Sequence, residues 1–111
     1  MPLPRSLPAA ALAALLCALT PAIRADSAAA STIVLAHDFM FAPAELTVPA
    51  GSTVTWTNKD DEPHTVVGDG GLFRSGALDT GESFSFRFAQ PGTYRYACSI
   101  HPRMTGTIVV K

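Results

Sequence analysis

The stretch Gly92-Thr93-Tyr94-Arg95-Tyr96-Ala97-Cys98-Ser99-Ile100-His101-Pro102-Arg103-Met104 reads as a strand running into a short loop. Tyr94, Tyr96 and Cys98 alternate with Thr93, Arg95 and Ala97. Side chains alternate across a strand, so this spacing fixes Cys98 on the inward face behind the two tyrosines. Pro102 stiffens the turn that follows, and Gly106 begins the return into a closing strand, Thr105 to Val110. His101 and Met104 thus lie on a loop short enough to point at the same spot as Cys98.

The same period extends upstream. In Ser83 to Phe88 the three phenylalanines Phe84, Phe86 and Phe88 face one way, and Ser83, Ser85 and Arg87 the other. Ser52 to Asn58 sets Val54 and Trp56 against Thr53, Thr55 and Thr57. Glu45 to Val48 is a further strand, stopped by Pro49-Ala50-Gly51, and Thr32 to Ala36 is a β-branched opening strand. Short strands parted by turn residues, with no helical period, no repeat and no low-complexity tract, predict an all-β sandwich. The alternating aromatics are its core.

The first residues are not part of that fold. Arg5, an apolar run from Ala9 to Leu19 and small residues before Ala25 have the layout of a secretory signal. The run is shorter than the ~20 residues of a spanning helix, so no stable membrane insertion is expected after cleavage. The expected organisation is a signal peptide over residues 1–25, a flexible leader over 26–31 and one domain over 32–111. Ala28-Ala29-Ala30 offers a second place for the cut. With no twin-arginine pair, a general secretory route to the periplasm is the simpler expectation.

Cleavage would remove Arg5 and Arg24 but none of the nine acidic residues, taking the formal charge from −1 to −3. An acidic domain has no basic face for nucleic acid. Cys17 goes with the leader, and Leu16 before it is too bulky for a lipid-attachment site. Cys98 is then a lone thiol in an exported domain, with no partner for an internal disulfide.

Metal ligation explains that thiol. A thiolate, an imidazole and a thioether stand three residues apart at Cys98, His101 and Met104, and a second imidazole, His64, lies upstream beside the turn Asp60-Asp61-Glu62-Pro63. Two nitrogens, one thiolate and a weak axial thioether form the donor set of a trigonal copper site. Zinc favours a further thiolate or a carboxylate over Met, and hard cations favour oxygens. His37 fits no ligand spacing and is expected at the surface. Asn58 and Thr65 are candidates to support the ligands from behind.

At these residues the chain resembles the cupredoxin family of small type 1 (blue) copper proteins, in the pattern of the amicyanin and pseudoazurin type. The resemblance runs from Ile33 to Val110. It rests on Phe41-Ala42-Pro43, Val48-Pro49-Ala50-Gly51, Val54-Thr55-Trp56-Thr57-Asn58, His64 and the Gly92–Met104 stretch. The Cys-x2-His-x2-Met spacing is its most specific part. The resemblance implies a Greek-key β-sandwich with one copper ion held by His64, Cys98, His101 and Met104, passing one electron between a redox donor and an acceptor. Many members carry Asn after the first histidine, where this chain has Thr65.

Three functions compete on these residues. An electron carrier, expected to be a monomer, needs a closed four-donor site. A copper carrier or buffer needs an exchangeable site, often rich in Met or His, yet the domain has only Met40 and Met104 and its donors are spread along the chain. An enzyme needs an open metal position or a second copper, and neither is provided for. Electron transfer is the leading expectation. A rim of Ile100, Pro102, Met40 and Phe41 around His101 is expected to dock partners, and Asp60-Asp61-Glu62 is either a solvated turn or a patch that steers a basic partner.

Overall fold

The computed structural model describes residues 1–4 and 31–111. The expected signal segment and leader therefore lie outside the described residues, apart from 1–4 and from Ser31, which opens the first strand. Eight strands follow: β1 (Ser31–His37), β2 (Met40–Ala42), β3 (Glu45–Val48), β4 (Ser52–Asn58), β5 (Val67–Gly68), β6 (Ser83–Phe88), β7 (Gly92–Ala97) and β8 (Thr105–Val110). A single 3-10 turn, Asp69–Gly71, is the one helical element among the described residues. None of the described helices is long and apolar enough to cross a membrane.

The strands form two four-stranded sheets, ordered β2-β1-β4-β6 and β3-β8-β7-β5. Each mixes one parallel pairing, β1 with β4 and β3 with β8, with antiparallel ones. The chain passes repeatedly between the sheets, as expected of a Greek-key sandwich. Alternation decides which face goes inside. Val54 and Trp56 are fully buried, and their partners across the ladder are Phe86 and Phe84.

Trp56 is the centre of the core, with the rings of Phe73, Phe84, Phe88 and Tyr96 at centroid distances of 5.3 to 6.3 Å. Tyr96 faces Gly106 across the β7–β8 ladder. A Cβ at 106 would come within 2.2 Å of the tyrosine ring, so only glycine lets these strands pair with the ring inside. This lock sets the register at the base of the loop that carries His101 and Met104. The Cys98 N–H then bonds the Met104 carbonyl at 2.9 Å, and the Met104 N–H bonds the His101 carbonyl at 2.8 Å. Seven residues are thereby folded into a closed turn at one end of the sandwich.

Two strands, β2 and β5, carry no sequence signal. Each is three residues or fewer, too short for alternation to show. The turn into β2 is also irregular: Asp38 and Phe39 have φ of 53° and 58°, a region that bulky residues seldom enter. The left-handed backbone costs roughly 1–2 kcal/mol per residue. Asp60 offsets that cost, accepting the Asp38 N–H at 2.7 Å and the Phe39 N–H at 3.0 Å.

Candidate metal centre

His64 is anchored from both sides before its side chain is considered. Its N–H and carbonyl both bond Leu78, at 3.1 and 2.7 Å, in an isolated antiparallel bridge. The ring is buried, and its Nε2 lies 2.7 Å from Asp60 Oδ2. With Nε2–H donating to the carboxylate, Nδ1 is left as the free lone pair, turned toward the Cys98 loop.

Three donor atoms meet there. His64 Nδ1 is 3.2 Å from His101 Nδ1 and 4.0 Å from Cys98 Sγ, and the sulfur is 3.7 Å from His101 Nδ1. The centre of that triangle lies about 2.1 Å from each corner, and metal–nitrogen and metal–thiolate bonds run ~2.0–2.1 and ~2.3 Å in zinc sites. One first-row ion therefore fits among the donors as they stand. The softness of the set, with a single thiolate and two imidazoles, suits copper.

The thiol is prepared for that role. Burial pushes the Cys98 thiol up, but the Thr65 N–H, the His101 ring and the Thr65 hydroxyl outweigh it and hold the group at about 6. The Thr65 N–H is 3.3 Å from the sulfur and its hydroxyl 3.7 Å. That hydroxyl also accepts the Ser99 N–H at 2.8 Å and pairs with the Ser99 hydroxyl at 2.8 Å. Thr65 thus makes the tie between the His64 segment and the Cys98 loop. Asn58 has a different task. Its amide bonds the carbonyls of Glu62 and Leu78, and its Oδ1 accepts the Asp60 N–H, shaping the turn that presents His64.

Met104 is buried at the same end, lining with His101 an open groove of about 510 Å3. The other walls are Phe39, Ile100, Pro102 and Arg103. The expected rim needs correcting here. Phe41 is buried in the core and stacks edge-on to Tyr96, and Met40, though exposed, does not line the groove. Phe39 takes their place. The acidic turn is also redistributed: Asp60 is turned inward onto His64, and only Asp61 and Glu62 are exposed. Burial opposes its charge, but the Phe39 N–H, the His64 ring and the Asp38 N–H hold its carboxyl below the usual range. His37 is at the surface, 3.1 Å from the Asp38 carboxylate.

The sequence profile of the Cupredoxin-like domain matches residues 8–110. This chain is a cupredoxin. Among relatives of this cupredoxin, amicyanin-alpha of Methylorubrum extorquens is 36% identical over 96 residues, spanning 78% of this chain and 76% of the relative. A plastocyanin of Scenedesmus fuscus is 40% identical over 85 residues, 65% of this chain and 87% of the relative. The cupredoxin fold is also similar to that of a purple cupredoxin from Nitrosopumilus maritimus, with a TM-score of 0.68 at 33% identity over 72% of this chain and 99% of the other. The copper(I) form of an amicyanin variant gives 0.70 at 30% identity, covering 73% of this chain and 82% of that one.

Proposed function

We propose that His64, Cys98 and His101 would hold one copper ion in this cupredoxin, with Met104 as a fourth, weaker donor, and that the protein carries single electrons between redox proteins. The observation that carries the reading is the spacing of the three donor atoms, 3.2, 3.7 and 4.0 Å apart, in a buried setting. Bound there, copper supplies a one-electron Cu(II)/Cu(I) couple.

The residues around it limit what has to move when charge changes. Leu78 and Asp60 fix the His64 backbone and ring, and Thr65 holds both the sulfur and the Ser99 N–H. His101, only part-buried at the groove, is the edge through which an electron would leave. The apolar walls Phe39, Ile100 and Pro102 are suited to brief contact with a donor or acceptor protein. The remaining parts of the reading are a monomer and export to the periplasm after removal of residues 1–25, which leaves a leader over 26–31 and the domain over 32–111.

Adding Cu(II) to the purified protein is expected to give an intense blue colour that Cys98→Ser abolishes. A one-electron reductant should bleach it reversibly. A colourless, readily exchanged copper complex would instead identify a copper carrier or buffer.

A further inference from the structure

The Phe39 ring lies edge-on to both imidazoles, at centroid distances of 5.4 Å and 84° to His64 and 4.9 Å and 82° to His101. The two histidines come from separate segments, 37 residues apart, and their own rings stand 5.0 Å apart at 69°. One phenyl group therefore touches both at once. It is brought there by a backbone at φ 58°, where glycine would be at ease, and it remains half exposed at 48%. The Asp60 carboxylate that binds His64 Nε2 also binds the Phe39 N–H, so ring and histidine are set by the same group.

Resting on the copper reading above, we propose that Phe39 is a positioning residue for the metal centre. It holds the two imidazoles at their mutual angle and closes the groove side of the site against water and outside ligands. Aromatic edges restrain a ring in orientation as well as position. An apolar cover also disfavours the more highly charged oxidised metal, so it raises the reduction potential.

The test uses Phe39→Gly, which suits the left-handed backbone and so should fold, with Phe39→Tyr as the rescue. Copper should be stripped from the reduced Gly variant by the copper(I) chelator bathocuproine disulfonate about tenfold faster than from wild type, the factor expected for two lost edge-to-face contacts. The potential should fall in the Gly variant, and Tyr should restore both values. A wild-type rate and potential in a Gly variant that still turns blue would overturn the proposal. Metal-free protein gives a separate arm: the ring protons of both histidines should shift in the proton NMR spectrum of the Gly variant as the ring current disappears. Histidine signals that stay in place would overturn the proposal whether or not the protein binds copper, whereas shifted signals in a chain that takes up no copper would sink only the copper reading.

Discussion

Asp60 Oδ2 lies 2.7 Å from His64 Nε2, so a nearly buried carboxylate stands directly behind a buried imidazole. A negative charge in that place makes the ring a stronger donor through Nδ1 and favours a dipositive ion over a monopositive one.

Asp60→Asn keeps the size but removes the charge. Copper(II) affinity should fall by ~10–100-fold, as for other lost ligand supports, and the reduction potential should rise. Competition titration and voltammetry of the two proteins measure both. An unchanged potential would mean that the carboxylate only shapes the turn.

Met104→Gln should keep the copper and lower the reduction potential, because a harder axial donor favours the oxidised ion. Direct electrochemistry of the variant decides it. A potential equal to that of wild type would argue against Met104 as the axial ligand.

Thr65→Val removes the hydroxyl that joins the two ligand-bearing segments while preserving shape. The Ser99 N–H loses its acceptor, and the expected loss in unfolding free energy of the metal-free protein is ~1–3 kcal/mol. Denaturant titration measures it. The blue band should survive, since the Thr65 backbone N–H still reaches the sulfur.

The Cys98 thiol predicts a pH dependence in metal-free protein. Its folded value of about 6 lies below the ordinary 9.0, so the fold favours the thiolate and the thiolate favours the fold. That stabilisation is fully present above pH 9.0, declines as pH falls and is gone below about 6. The stability difference between wild type and Cys98→Ser, followed by denaturation across this range, should therefore grow with pH. A constant difference would contradict it.

Strands long enough to alternate were readable from the sequence: β4 and β6 match the expected ranges to the residue, because Val54 and Trp56 in one and Phe84, Phe86 and Phe88 in the other recur at every second position on the inward face. That Cys98, His101 and His64 would converge was readable, because a thiol beside spaced histidines has few uses other than holding a metal. Asp60 and Phe39 were not. Asp60 lies among other acids, and only the fold turns it inward while leaving Asp61 and Glu62 outside. Phe39 reaches the site through a left-handed turn that contains no glycine or asparagine to announce it. Phe73 likewise joins the core from a segment without regular period. What the sequence concealed are the contacts made by irregular backbone.

The strand order has a consequence for biogenesis. Among the described residues the earliest strand, β1, runs between β2 and β4, and the latest, β8, runs between β3 and β7. Among the described residues, each sheet therefore has its earliest or its latest strand in its interior rather than along its edge. A nascent polypeptide lacking β8 leaves β3 and β7 without the neighbour that joins them, and such long-range pairings form late and slowly. Acquisition of the native state thus awaits the docking of β8 between β3 and β7, and with it the assembly of a pocket able to capture an ion.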